Sequence, residues 1–314
     1  MKPIIPFVHR ITENEEARWI SELNAHWPGC EVRPLRQLSN AQIDAASVAI
    51  VANPDPEDLN QLPNLKWVHS LWAGVENLVQ HWHRTDIPIV RMKDPALATT
   101  MAEAVLTWAL FLQRNMHRYA RQQKHNQWLA LDYQPMSDCT VGIIGLGKLG
   151  MATAAALNAQ GFKTIGWSQS EKHIDFMPSF QGRDGLKTVV EQSDIVVVLL
   201  PLTAETNGLF DTTMFSAMKA NAHLINFARG PIVEVESLLN FLNNNPNSHA
   251  VLDVFDQEPL PPETPLWQHP SVSVLPHITA PTLPESAAKI AIENVKRYFE
   301  TDMIPGAIDR VKGY

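Results

Sequence analysis

The feature that most constrains this chain is a glycine pattern between a predicted strand and a predicted helix. Gly145, Gly147 and Gly150 follow the apolar run T-V-G-I-I and open the helical stretch K-L-G-M-A-T-A-A-A-L. In such a turn the first glycine allows the bend, the second lets backbone approach a pyrophosphate, and the third lets the helix pack on the strand. The helix start also offers unpaired N–H groups to phosphates. The pattern predicts dinucleotide binding; the alternative is a tight turn without a ligand.

Two series of short apolar runs alternate with helical stretches. Between 140 and 275 there are six candidate strands, T-V-G-I-I, F-K-T-I-G-W, I-V-V-V-L-L, A-H-L-I-N-F, H-A-V-L-D-V and S-V-S-V-L. Most are continuously apolar, which is typical of parallel strands buried on both faces. Before residue 93, a helix from Glu15 to Trp27 lies among four further strands, K-P-I-I-P-F-V, S-V-A-I-V-A, L-K-W-V-H-S and I-P-I-V-R-M. The alternation predicts an α/β protein with two doubly wound parallel sheets.

Two helices outside these series are also predicted. One runs from about Thr100 to Gln127, apolar on most sides in its first half and strongly polar in its second. Such a helix leaves one core for another core or for a partner subunit. The other covers P-E-S-A-A-K-I-A-I-E-N-V-K-R-Y-F near the end of the chain, after an extended, proline-rich region between 256 and 284.

Composition excludes several classes of protein. The 314 residues include 33 acidic and 25 basic side chains, a net charge of −8 that argues against nucleic-acid binding. Cys30 and Cys139 form no C-x-x-C pair, which argues against a disulfide framework and a thiolate zinc site. The chain start lacks a signal-peptide pattern, and the longest uninterrupted apolar run, 195–200, is shorter than a membrane span. We expect a soluble cytoplasmic protein that binds neither membrane nor metal; His81 and His83 do not share a helix face.

The end of the second strand in the later series bears on the choice between NAD and NADP. NAD enzymes usually carry an acidic residue about 20 residues beyond the glycines, where it binds the ribose 2′-hydroxyl. Here the strand ends in Ser168, Gln169, Ser170, Glu171 and Lys172, without an acidic residue at that point. Ser168, Ser170 and Lys172 can hold a 2′-phosphate, although Glu171 opposes it. NADP is favoured, and NAD is the alternative.

Three residues near the ends of later strands form a chemically coherent set. Arg229, Glu258 and His277 fall at or just beyond carboxyl ends of predicted strands, where open α/β sheets bind ligands. A guanidinium can bind a carboxylate and polarise the adjacent carbonyl. An imidazole can protonate a forming alkoxide, and a carboxylate behind it favours its protonated form. The set suits hydride transfer at the carbon next to a carboxylate; the alternatives are a loop-capping arginine, a solvated glutamate and a surface histidine.

An ordered set of motifs spans nearly the whole chain. They are L-W-A-G-V-E at 71–76, T-M-A-E at 100–103, G-L-G-K-L-G, L-P-L-T-A-E-T at 200–206, N-F-A-R-G, L-D-V-F-D-Q-E-P-L-P, L-W-Q-H-P and P-H-I-T-A. In this combination the chain resembles the D-isomer-specific 2-hydroxyacid dehydrogenases, and within them the glyoxylate/hydroxypyruvate reductase A group. It departs at W-S-Q-S, where the NADP loop of the family reads W-S-R-T, and at Thr279-Ala280, where many members have glycine after the His-Ile motif.

The resemblance implies how the substrate is bound and protonated. Arg229 would bind the substrate, His277 would be the acid/base and Glu258 its partner. The backbone N–H groups of the loop residues would bind the substrate carboxylate, and these residues are Trp72, Ala73 and Gly74.

The resemblance also implies a cofactor site at the strand ends, in which Asp253 holds the nicotinamide carboxamide. The expected cofactor-binding residues are Gly145, Leu146, Gly147, Lys148, Leu149, Gly150, Ser168, Gln169, Ser170, Lys172, Leu200, Pro201, Thr206, Phe227, Ala228, Asp253 and Thr279.

At the level of domains, the resemblance implies a flavodoxin-like substrate domain (1–101 and 285–314) and an inserted Rossmann-type cofactor domain (102–284), with the active site in the cleft. It further implies a homodimer that uses the helix at 100–127. The expected reaction is reduction of glyoxylate or hydroxypyruvate by NAD(P)H to the 2-hydroxy acid. The alternatives are a dehydrogenase for a bulkier 2-keto acid and a non-catalytic NAD(P)-dependent sensor or corepressor.

Overall fold

In a computed structural model, residues 2–310 are described, and they contain twelve strands and eleven α-helices. The strands are β1 (Ile4–His9), β2 (Glu31–Pro34), β3 (Val48–Ala52), β4 (Trp67–Ser70), β5 (Ile89–Val90), β6 (Thr140–Ile144), β7 (Lys163–Ser168), β8 (Ser179–Gln181), β9 (Ile195–Val198), β10 (His223–Asn226), β11 (Ala250–Leu252) and β12 (Val272–Val274). The helices are α1 (Glu13–Ala25), α2 (Asn40–Asp44), α3 (Pro56–Asn60), α4 (Glu76–His81), α5 (Pro95–Gln113), α6 (Met116–Lys124), α7 (Lys148–Ala159), α8 (Gly182–Gln192), α9 (Thr212–Ala217), α10 (Val235–Asn244) and α11 (Pro284–Thr301).

The chain divides into two compact units. The first comprises Met1–Ala96 with Thr282–Tyr314, and the second, Leu97–Pro281, is inserted into it. The chain thus passes between units a few residues before the expected positions, 101 and 284.

The first unit is built on a parallel sheet of five strands in the order β2-β1-β3-β4-β5. This is the flavodoxin-like doubly wound order. Side chains of Phe7, Ile50 and Trp67 are buried with Ala288 and Val295 of α11, which returns from the end of the chain to cover this sheet. Strand β2 was not predicted, because E-V-R-P is short and carries little apolar character.

The second unit is built on a parallel sheet of seven strands in the order β12-β11-β10-β9-β6-β7-β8. Its order around the central β6 is that of the dinucleotide-binding Rossmann fold, extended by one strand. All six predicted strands are present, and the α/β class is confirmed. The seventh, β8, has only three residues, none of them fully buried, and therefore gave no apolar pattern.

The prediction of one helix over 100–127 is wrong. Two helices, α5 and α6, cover this region, and the chain turns between them at Asn115, whose φ is 56°. Asparagine tolerates this left-handed conformation better than most residues, and a single such residue leaves the apolar pattern on either side unchanged. Met101, Val105 and Ala109 of α5 are buried in the core of the second unit.

Helix α5 is also notable for its apolar character. Among residues 2–310 it alone is long and apolar enough to cross a membrane, with 28% of that stretch buried. Its apolar stretch is interrupted by Glu103 and three threonines, so it contains no long uninterrupted apolar run. One such helix is weak evidence for a membrane span, and α5 contributes buried side chains to a core.

A cluster of three buried histidines lies at the amino-terminal edge of the second sheet. The ring of His117 on α6 is 5.0 Å from that of His223 and 4.9 Å from that of His249. Burial lowers the pKa of His117 to about 4 and that of His249 to about 3, and it lowers the pKa of His223 well below its ordinary value. The charges of Arg118 and Arg121 lower the pKa of His117 further. At neutral pH the cluster is therefore uncharged.

The cluster predicts how stability depends on pH. Unfolded histidines take up protons below pH 6.5, whereas folded His249 does so only near pH 3, so stability is full above pH 6.5 and falls as the pH decreases. We expect His249→Asn to lower the number of protons taken up on unfolding at pH 5 by about one. Urea titrations between pH 4.5 and 7 measure this number as the slope of the unfolding free energy against pH.

The control for this experiment is His173→Asn, because the side chain of His173 is 92% exposed. It should leave the slope unchanged. A wild-type slope in His249→Asn would contradict the assignment.

Candidate active site

The predicted glycine turn joins β6 to α7, and two of its glycines are required by packing. Gly145 has a φ of +112°, and a Cβ there would lie 2.6 Å from the carbonyl oxygen of Leu199. A Cβ on Gly150 would lie 1.9 Å from the carbonyl oxygen of Gly145. A larger residue at Gly145 would displace the segment after β9, and one at Gly150 would separate α7 from the strand.

Gly147 differs, because a Cβ there would meet no atom within 4 Å. Nothing in the described chain therefore requires glycine at this position. Gly147 precedes α7, whose N-terminus has no side-chain cap, so the first N–H groups of a twelve-residue helix point toward open space. The open space at Gly147, its lack of a side chain and the positive end of the helix dipole together suit the binding of a pyrophosphate. Beside Gly147, Lys148 is exposed and Leu149 half-buried, whereas the Leu146 side chain is buried in the core.

The residues predicted to hold a 2′-phosphate lie at the end of β7. Ser168 is buried, and its hydroxyl donates a hydrogen bond to the carbonyl oxygen of Ser170 over 2.6 Å. Gln169, Ser170 and Lys172 are exposed. The hydroxyl proton of Ser168 thus stabilises the turn after β7, and the exposed donors of this group belong to Gln169, Ser170 and Lys172.

The segment after β9 lies against the glycine turn. A Cβ on Gly145 would be 3.0 Å from the Leu200 side chain. The Thr206 hydroxyl donates to the carbonyl oxygen of Pro201 over 2.7 Å and accepts from the N–H of Thr203 over 2.8 Å. Thr206 therefore shapes the loop through its side chain.

Arg229 follows β10 and is oriented by the residues around it. The side chain of Asn226, which is 1% exposed, accepts from the N–H of Ala228 and donates to the carbonyl oxygen of Arg229, both over 3.1 Å. A Cβ on Gly230 would lie 2.0 Å from the carbonyl carbon of Phe255. This close approach brings the Arg229 turn to the loop after β11. Phe227 and Ala228 are buried beside it.

His277 and Glu258 form a hydrogen-bonded pair. His277 Nδ1 is 2.7 Å from Glu258 Oε2, and Glu258 Oε1 accepts from the N–H of Phe255 over 2.9 Å. The hydrogen bond to Glu258 raises the pKa of His277, against the effect of burial. Burial opposes ionisation of Glu258, but the bonds from His277 and Phe255 and the nearby charges of His277 and Arg229 lower its pKa. His277 is therefore favoured as an imidazolium, and its Nε2 makes no hydrogen bond within residues 2–310.

Asp253 fixes the segment that carries His277. Its two carboxylate oxygens accept from the N–H groups of Ile278 over 2.8 Å and of Thr279 over 2.9 Å, and the residue is 2% exposed. His277 itself has a φ of 52°. The Thr279 hydroxyl is buried without a hydrogen-bond partner in the described chain.

The predicted carboxylate loop follows β4 in the first unit. The N–H of Trp72 donates to the hydroxyl of Ser70 over 3.0 Å. Within the described residues, the N–H groups of Ala73 and Gly74 make no hydrogen bond. Of the three N–H groups expected to bind an anion, the loop therefore leaves two available.

The structure brings together five of the predicted residues, Arg229, Asp253, Glu258, His277 and Thr279, at the carboxyl end of the second sheet. Two residues that orient these side chains or the loop after β4, Asn226 and Ser70, were not predicted from the sequence. Asn226 had a local signal, because an asparagine that ends a strand two residues before a small residue often forms a side-chain turn. Ser70 had no local signal in the sequence apart from its position at the end of β4.

Comparisons with known proteins agree with this geometry. The sequence profile described as D-isomer specific 2-hydroxyacid dehydrogenase, NAD binding domain, matches residues 106–279. The chain is 34% identical over 306 residues to a protein of Yersinia enterocolitica named glyoxylate/hydroxypyruvate reductase A, covering 96% of this chain and 97% of that protein.

Solved structures agree as well. One is a D-isomer specific 2-hydroxyacid dehydrogenase from Xanthobacter autotrophicus Py2 in complex with NADPH and MES, with a TM-score of 0.90, 33% identity, and 98% and 99% of the two chains covered. Another is an NADPH-dependent glyoxylate/hydroxypyruvate reductase from Sinorhizobium meliloti in complex with NADP and sulfate, with a TM-score of 0.87, 31% identity and all of both chains covered. Sequence, fold and site together lead to one conclusion: the chain belongs to the D-isomer-specific 2-hydroxyacid dehydrogenase family.

Proposed function

We propose that this enzyme reduces a small 2-keto acid, glyoxylate or hydroxypyruvate, to the 2-hydroxy acid, with NADPH favoured over NADH. The observation that carries the proposal is the His277–Glu258 hydrogen bond beside Arg229 at the carboxyl end of a Rossmann-type sheet. The names of the similar reductases support the substrate class, and the NADPH and NADP in the two solved structures support the cofactor.

The cofactor is assigned to the second unit. The helix start at Gly147 would bind the pyrophosphate, and Ser170 and Lys172 would bind a 2′-phosphate, with Ser168 shaping their turn. Leu200 would line the same site. When bound, the reduced nicotinamide supplies the hydride that the protein itself cannot provide.

We assign Asp253 a structural role instead of the expected contact with the nicotinamide carboxamide. With both carboxylate oxygens bound to backbone N–H groups, it orients His277 and Thr279, and any contact with a nicotinamide carboxamide would use its remaining lone pairs.

The proton chemistry is assigned to His277. Its Nδ1 is bound to Glu258, so Nε2 is the nitrogen that would donate a proton to the substrate oxygen during reduction. Arg229 would polarise the carbonyl and stabilise the negative charge that develops on its oxygen. In the first unit, the N–H groups of Ala73 and Gly74 would bind the carboxylate.

The proposed function predicts turnover with NADPH. Purified protein should oxidise NADPH in the presence of glyoxylate or hydroxypyruvate, and more efficiently than NADH. His277→Asn should lower kcat by about 10²- to 10⁴-fold, because the proton donor is lost, while NADPH binding is unchanged. Absorbance at the nicotinamide band measures turnover, and fluorescence titration measures binding.

The matched control is His269→Asn, which removes another histidine of the same proline-rich region and should keep wild-type turnover. Wild-type kinetics in His277→Asn would refute the acid/base assignment. Cofactor binding without turnover in the wild type would refute the proposed substrates and favour a bulkier keto acid or a sensor.

The assigned pairing of His277 with Glu258 predicts how kcat/KM depends on pH. Reduction needs protonated His277, so kcat/KM should fall as the pH rises through the pKa of His277. Glu258→Gln replaces the carboxylate with a neutral amide, which weakens the hydrogen bond and removes the charge that raise this pKa, so the alkaline limb should move to lower pH. Glu263→Gln, an exposed change in the same region, should leave the profile in place. An unmoved limb in Glu258→Gln would contradict the assigned pairing.

We also propose that the protein is a homodimer. The supporting observation is a set of exposed apolar side chains on and after α6, with Trp128 fully exposed, Leu129 64% exposed and Tyr133 65% exposed, following the largely apolar α5. Such a surface is typical of an interface between subunits.

Light scattering should therefore give twice the chain mass of 35.1 kDa. Trp128→Ser should shift the protein toward the monomer mass at low concentration, because burial of an indole at the interface would be lost. Met303→Ser, at an exposed apolar residue of the first unit, should leave the mass unchanged. A wild-type mass of one chain would refute the dimer.

A further inference from the structure

The ends of β4 and β5 lie side by side in the first unit. The N–H of Met92 donates to the carbonyl oxygen of Trp72 over 3.2 Å. Next to it, Arg91 Nη1 donates to the carbonyl oxygen of Ala73 over 3.3 Å. The guanidinium of Arg91 is thereby held against the loop whose N–H groups are available. Arg91 lies outside the motifs that predicted the site residues.

Several donors in this corner of the first unit lack an acceptor. Arg91 Nε and Trp72 Nε1 are both buried without a hydrogen-bond partner in the described residues. The half-buried residues Ala73 and Gly74 have backbone N–H groups that also lack partners there. A buried donor without an acceptor is unfavourable, and more so when it is charged. Two buried donors and two further N–H groups on adjacent segments indicate that an acceptor from outside the chain completes the site.

The charge of Arg91 is likewise uncompensated. Within residues 2–310, no carboxylate forms an ion pair with its guanidinium. The nearest acidic residue along the chain, Asp94, accepts instead from the N–H of Ala96 over 2.9 Å and from the hydroxyl of Ser286 over 2.5 Å. A half-buried cation next to free N–H groups fits a small anion, and a guanidinium fits a carboxylate best.

We infer that Arg91 is a further substrate-binding residue, whose guanidinium binds the carboxylate of the 2-keto acid together with the N–H groups of Ala73 and Gly74. This inference rests on the proposed function and deepens it, because it makes the first unit selective for anionic substrates. The bond from Nη1 to Ala73 holds the guanidinium at the loop, and Nε is left as a donor without a partner in the described residues. A neutral analogue with an amide in place of the carboxylate would gain nothing from this charge.

Two substitutions separate anion binding from mere support of the loop. Arg91→Gln removes the charge and leaves a shorter polar side chain. Arg91→Lys keeps the charge. If Arg91 only supports the loop, Arg91→Gln should weaken binding of the charged ligand and of its neutral amide analogue alike. If Arg91 binds the anion, Gln should weaken binding of the charged ligand alone, and Lys should retain part of that binding.

The experiment is a calorimetric titration of oxamate, a carboxylate that cannot be reduced, into protein saturated with NADP. We expect Arg91→Gln to raise the Kd of oxamate by about 10- to 100-fold, the range of one charge-assisted hydrogen bond, and Arg91→Lys to raise it less. In turnover, KM for glyoxylate should rise in Arg91→Gln, whereas kcat/KM for glyoxylamide should stay at the wild-type value.

The matched control is Arg84→Gln, because Arg84 Nη1 also donates to a backbone carbonyl, that of Leu62 over 3.1 Å, in the same unit. It should bind oxamate like the wild type. Wild-type oxamate affinity in Arg91→Gln would overturn the inference, even if the protein reduces glyoxylate. Loss of oxamate binding in Arg91→Gln would support it, even if the wild type reduces neither proposed substrate, in which case the proposed function alone would fail.

Discussion

Parallel pairing of the strands in the second unit is the constraint on which the candidate site depends. Because β6, β9, β10 and β11 run in the same direction, the chain leaves each of them at the same edge of the sheet. Residues separated by more than 100 positions, from Gly145 to His277, are thereby placed at one edge. Two kinds of contact then set their orientation: the close backbone approach of Gly230 to Phe255, and the two hydrogen bonds that the Asp253 carboxylate accepts from the backbone after His277.

Burial and pairing with a carboxylate give the histidines of this protein different charge states: some are neutral, and His277 is favoured as an imidazolium. His69 is fully buried in the first unit, where burial lowers its pKa to about 4, and its Nδ1 lies 3.0 Å from the carbonyl oxygen of Ser70. The cluster at His117 is neutral for the same reason. His277 is partly buried too, but the carboxylate of Glu258 lies 2.7 Å away and outweighs burial. A single local partner therefore decides which histidine can donate a proton near neutral pH.

The sites assigned to ligands share one property: the protein itself leaves space unfilled or hydrogen-bond donors unpaired there. At Gly147 it leaves space that no packing contact explains. At the loop after β4 it leaves N–H groups and a guanidinium without acceptors. Other buried polar groups are paired, such as the Asn24 side chain, which both donates to and accepts from the backbone of Val32. Single neutral atoms are also left without a partner elsewhere, for example Trp67 Nε1 and Thr164 Oγ1. The loop after β4 differs from these because its unpaired donors include a guanidinium and lie on two adjacent segments.

The sequence by itself determined the class of fold and the glycine turn, and it supplied Arg229, Glu258 and His277 as the proposed catalytic residues. Each is recorded in a local pattern: continuous apolar runs, glycine spacing, and motifs at strand ends. Only the tertiary structure decided which polar groups already make hydrogen bonds within the protein. It assigned the N–H of Trp72 to Ser70, the hydroxyl of Ser168 to Ser170, and both oxygens of Asp253 to the segment beyond His277. It also divided the predicted long helix at Asn115 and placed Arg91 against Ala73. These outcomes depend on one residue's backbone angle or on contacts between separate strands, and neither leaves a periodic signal in the sequence.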